Sequence, residues 1–137
     1  MSFQTIRALI ETRLEDLSIP VVYDNTYDEP PGTEYAEVNI SYVSVSEPVL
    51  CKLENSIEVI RGNLQVVVRS PRGQGMARLE ELDAEVLTIM NRFKDWRKDD
   101  DDGVICTLGE VEGPVHLLSG DDPLAASNIS ARFLAYG

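Results

Sequence analysis

The chain has 137 residues, 43% of them hydrophobic, and 24 acidic against 12 basic side chains give a formal net charge of −12. That length fits one domain over residues 1–137 with room for a substantial core, and the charge argues against direct gripping of DNA phosphates, which needs clustered Lys and Arg. No apolar run approaches the roughly 20 residues that span a bilayer, and the opening MSFQTIRALIETRLEDL lacks the uninterrupted apolar core of a signal peptide, so synthesis in a cytoplasm with no membrane partner is expected.

Phe3, Ile6, Ile10, Leu14 and Leu17 recur at three- and four-residue steps, which predicts an amphipathic helix from about Ser2 to Leu17, capped by Ser2 and ended by Ser18 and Pro20. Val21–Tyr23 is a short strand candidate. DNTYDEPPGTE follows as a loop, because two prolines, a glycine and several acids do not sustain regular structure. In YAEVNISYVSV, Ala36, Val38, Ile40 and Tyr42 alternate with polar residues, the period of a half-buried strand. SEPVLCKLEN reads as a looser connector.

Ser56–Ser70 is a second long strand. Ile60, Leu64, Val66 and Val68 share one face; Val59, Arg61, Asn63, Gln65 and Arg69 share the other. Gly62 within the run signals a bulge or a close backbone approach. Met76–Phe93 has the stripe Leu79, Leu82, Val86, Ile89, Met90 and Phe93 of a second helix, with Trp96 placed to close the core beyond it. VICTLGEVEG, PVHLL and ASNISARFLAY supply the closing strands, the last with Ile129, Ala131, Phe133 and Ala135 on one face. The order α-β-β-β-α-β-β argues for an α+β fold: an antiparallel-rich mixed sheet with two helices packed on one face and the other left to solvent or a neighbour.

Candidate chemistry is sparse. The stretch NLQVVVRSPRGQGMARLEELDAEV has the strand, glycine loop and helix order of a phosphate cradle. Yet Gly73 and Gly75 stand two apart, with no Lys and no Ser or Thr where a P-loop needs them, and Arg78 occupies the third position of a dinucleotide fingerprint. The loop Arg72, Gly73, Gln74 and Gly75 therefore reads as a strand-to-helix connection, its glycines free to take positive φ, or as a protruding contact for a partner protein. The run Asp99, Asp100, Asp101 and Asp102 lacks the alternating ligands and terminal Glu of a calcium loop. Together with Asp121 and Asp122 it reads as acidic surface. Eight acids lie from Asp99 onward against one base, Arg132, and such a face would let a polyanion pass without sticking. Cys51 and Cys106 lie far apart, and His116 is alone, with no ligand spacing and no nucleophile motif near it. Neither a cofactor, a metal site nor catalysis is expected.

The residues do resemble a family: the tail terminator proteins of long-tailed bacteriophages, a group formerly catalogued as a phage domain of unknown function. The resemblance runs over nearly the whole chain. It is carried by the opening helix SFQTIRALIETRLEDL, the loop DEPPGTEYAEVNI leading into a strand, and above all RGNLQVVVRSPRGQGMARLEELDAEV. There, Arg61, Gly62, Leu64, Gln65, Val66, Val68, Pro71, Gly73 and Gly75 fall in the family's order. Gly113 and Pro114 and the closing aromatic Tyr136 also fit. The Asp99–Asp102 run departs from a usually neutral turn.

What the resemblance implies is mechanical. Such proteins form a ring, a hexamer, that caps the tail tube and offers a docking surface to the head-side connector, while DNA passes through the hole without specific binding. The expected partners are thus other copies of the chain, the tail tube protein and the connector protein. The expected location is the virion neck, after assembly in the host bacterial cytoplasm. Under that reading Arg72 to Gly75 form a partner-contact loop, Arg61, Gln65 and Arg69 serve subunit pairing, and the six aspartates named above line the lumen or surface loops. A head–tail connector, head-closure or tail-completion adaptor is the neighbouring alternative. A small-molecule binding domain or enzyme is the alternative of a different class.

Overall fold

The computed structural model describes residues 3–23, 34–46, 59–71, 75–91, 96–97, 105–117 and 124–136. In chain order they form α1 (Phe3–Leu14), β1 (Val21–Tyr23), β2 (Tyr35–Ser46), β3 (Val59–Pro71), α2 (Gly75–Asn91), β4 (Trp96–Arg97), β5 (Ile105–Leu117) and β6 (Leu124–Tyr136). The strands make one six-stranded sheet in the order β1-β2-β3-β6-β5-β4. β1 runs parallel to β2, and every other pairing is antiparallel. The expected α+β architecture is what the chain adopts, with one short strand, β4, added to the expected order.

The two periodicities decide which face is covered. On β2, β3 and β6 the apolar sets Ala36/Val38/Ile40, Leu64/Val66/Val68 and Ile129/Ala131/Phe133 alternate onto the same side of the pleat and are buried. Ile6, Leu9, Ile10 and Leu14 of α1 and Leu79, Leu82, Val86, Ile89 and Met90 of α2 join them in one cluster, so both helices cover one face of the sheet. Leu9 belongs to the α1 stripe. Phe3 does not: it stays 48% exposed, its ring instead lying 4.4 Å from that of Tyr42.

Polar clamps set how the helices sit. Ser18 donates from its amide and hydroxyl to the Glu85 carboxylate at 2.5 and 2.8 Å, tying the end of α1 to α2. The Tyr23 hydroxyl donates to the Glu11 carbonyl at 3.3 Å, and burial beside Glu11 and Glu15 pushes that phenol's pKa up. Arg78 in the first turns of α2 holds Glu34 and Glu81.

Two sequence breakers are absorbed without ending strands. A Cβ at Gly62 would run into the Ser41 carbonyl and the Phe133 ring, so the close approach expected there is real and lets Phe133 lie edge-on to Tyr42. Gly113 takes φ +106° and the Gly113–Pro114 bond is cis. One register shift spans the pair, between Glu112 and Val115, and another lies upstream, between Leu108 and Val111; across both, the described parts of VICTLGEVEG and PVHLL, which read as two segments, join in the single strand β5.

Candidate functional site

The uncovered face of the sheet is polar by the same alternation that buries its other side. Asn39 of β2 stands opposite Gln65 of β3, Gln65 opposite Ser130 of β6, and Ser130 opposite Glu112 of β5. The next row runs Ser41, Asn63, Arg132. These rows floor a shallow depression of about 750 Å³ that Gly109 and Glu110 also border. Amides and hydroxyls in rows donate and accept hydrogen bonds equally well, which suits a protein surface better than a charged small molecule.

Of the residues expected to pair subunits, all three lie on this face of β3, but they do not act as one group. Arg61 is exposed and Gln65 half-buried. Arg69, at the far end of the strand, is held by the Glu37 carboxylate at 3.5 Å on neighbouring β2. Arg61 and Arg132 sit on adjacent strands, two residues out of register, and neither makes an ion pair with a described residue. The loop residues Arg72, Gly73 and Gln74 lie outside the described residues, while Gly75 is the first residue of α2. Asp99 to Asp102, Asp121 and Asp122 also lie outside them.

A second polar group sits on the covered face, and no spacing in the sequence announces it. Asp83 of α2 is only 2% exposed among Leu79, Leu82 and Val86. His116 Nε2 lies 3.4 Å from Asp83 Oδ2, at the long end of hydrogen-bond distance. Ser127 pairs with His116 across β5 and β6 and is fully buried. Burial raises the Asp83 pKa, while the Ser127 hydroxyl and His116 pull it down. Still, neither Ser127 Oγ nor Asp83 Oδ1 has a partner at hydrogen-bond geometry.

This arrangement is not that of a catalytic triad. A triad places the imidazole between the acid and the nucleophile. Here Ser127 Oγ bonds to neither partner and is closed off from any substrate. Asp83 and His116 instead fasten α2 to β5. Cys106, buried against the same core, has its thiol pushed up to about 12 by desolvation, which suppresses the nucleophilic thiolate. Among the described residues, no three His, Cys, Asp or Glu side chains group as a metal site, and no helix is long and apolar enough to cross a membrane.

No protein-family model matches the chain, and no curated protein matches it. Among solved structures, one whose name states no function is similar at 23% identity and a TM-score of 0.66, over 98% of this chain and 96% of that one. At that identity the likeness is one of fold: the two chains share an architecture along almost their full lengths.

Proposed function

We propose that the protein is a structural component of a long-tailed phage particle, a tail terminator that assembles as a ring, hexameric in this reading. The ring caps the tail tube and presents a surface to the head-side connector. The sequence motifs from Arg61 to Gly75 motivate the reading. The observation that carries it is the two-sided sheet: one face closed by both helices, the other open, polar and bordered by Arg61 and Arg132, whose charge no described acid neutralises. Such a body acts by offering surfaces. A net charge of −12 keeps the genome from adhering as it passes, and a closed ring buries strand edges that would otherwise pair without limit.

Two measurements test it. An image of the particle neck should place six copies in a ring at the head-proximal end of the tube. Their absence from that position, or their presence one layer nearer the head, would replace the terminator with another protein or with a connector component. At the residue level, Arg72→Glu should leave circular dichroism unchanged and impair tube capping. Tails of normal length and normal infectivity in that variant would remove the loop from the contact.

A further inference from the structure

The two sides of the sheet end in unlike edges. β1 pairs with β2 only at Ala36, Glu37 and Val38. Beyond them, among the described residues, no strand lies along the outer edge of β2 at Val43, Ser44 and Val45. Natural edges carry charge, proline or a sharp kink to prevent pairing. The run Ser41–Val45 has one bulge and no charge. Among the described residues, four large hydrophobic side chains stand exposed, and three of them gather here: Phe3 against Tyr42, Val43 at 67% and Val45 at 56%. At the other side, β4 pairs with β5 only at Ile105 and Cys106. The outer edge of β5 beyond Cys106 carries exposed Glu110 and Glu112.

We infer that the β2 edge at Ser41–Val45 is the seam on which a second copy of this chain docks, its β5 edge pairing antiparallel with β2. The inference rests on the ring reading for the number of copies, though not for the seam itself. Strand direction supports it: β2, β3, β6 and β5 alternate, so β2 and β5 run oppositely, and a sheet continued from one copy into the next is antiparallel at the join. The short capping strands also permit it. β1 covers β2 only at Ala36–Val38, and β4 covers β5 only at Ile105 and Cys106, which lie level with Ser46 and Val45 across the sheet. Ser41–Ser44 therefore face the uncapped stretch of β5 from Thr107 onward in a level join, and Val45 joins them when the second copy is displaced by a residue or two along the strand.

Charge selects this partner over the symmetric one. Arg61 stands opposite Ser44, one strand in from the seam and on the open face. Glu110 and Glu112 border that same face at the β5 edge. Docking β2 on β5 brings Arg61 of one copy towards two acids of the next. Docking β2 on β2 across a two-fold axis puts an Arg61 on each side of the paired β2 strands, like charges on one face, and leaves Glu110 and Glu112 unmet. The β2–β5 contact is head-to-tail, the kind that closes into a ring when its rotation divides the circle.

The test is the solution mass of the chain as a function of concentration, with circular dichroism to verify the fold. Wild type should assemble. Val45→Lys and Arg61→Glu, both at exposed positions, should each weaken assembly roughly tenfold or more. Adding Glu110→Arg and Glu112→Arg to Arg61→Glu should restore it. Wild-type rings unmoved by either single change would overturn the seam and leave the tail reading standing. Weakening by Arg61→Glu without rescue would overturn the β5 assignment. A monomer up to about 1 mM, the weak limit of specific pairing, would overturn seam and ring together. Assembly with rescue in a protein missing from the particle neck would uphold the seam and remove the tail function.

Discussion

Asp83 shows how one side chain can cost stability in order to fix a position. Burial holds its pKa above the ordinary carboxylate value, with Ser127 and His116 only partly offsetting the shift. A raised folded-state pKa means the native state binds the proton more tightly than the unfolded chain does. The associated stability is fully present below the unfolded value of 3.8 and is lost as pH rises through the folded value. Asp83→Asn should therefore gain stability relative to wild type as pH is raised from about 4 to 7, with the two converging at the acid end. Urea midpoints across that range read it out, and a difference independent of pH would mean that the carboxylate is solvated. None of this was legible in LEELDAEV, where Asp83 reads as one more acid on a helix. Its partner His116 is 33 positions away, and only the packing of α2 on β5 brings the two together.

At the scale of elements, the apolar seam outweighs the visible ion pairs. Arg78 joins α2 to Glu34, but its side chain is 37% exposed, and pairs so open to water add little to stability. Leu82 is 1% exposed, and truncating a leucine in such a site costs about 2–5 kcal/mol, transfer and cavity terms together. Leu82→Ala should thus lower the unfolding free energy several times more than Arg78→Ala. Equal effects would assign α2's docking to charge. The seam was readable in advance, because Leu79, Leu82, Val86, Ile89 and Met90 keep helical spacing. The continuity of β5 was not, because Gly113 and Pro114 are local breakers and only pairing with β6 carries the strand past them. The exposure of Phe3 was likewise set by its neighbour Tyr42 and not by period, whereas Leu9, three residues after Ile6, was on the period all along.

For the whole molecule, one cluster of buried side chains takes in both helices and strands β2, β3, β5 and β6. A single core of this size unfolds as a unit, so helix signal by circular dichroism and Tyr fluorescence should trace one superimposable denaturation curve. Separate transitions would divide residues 1–137 into two cooperative bodies. The fold class was legible at this scale from the order of periodic segments. The open face was legible too, since Arg61, Asn63 and Gln65 alternate with Leu64 and Val66. The unlike edges were not, because strand order is a property of long-range pairing that no local pattern records.

That order has a consequence for how the chain is made. β6 follows the other described elements in sequence, yet it lies in the middle of the sheet, between β3 and β5. A ribosome releases β2, β3 and α2 well before the strand that belongs beside them, so β3 waits with its inner flank bare. Pairing of such separated segments is slow, on the order of milliseconds to seconds. During that interval the flank of β3 that β6 will cover stays unpaired and open to strands of other chains.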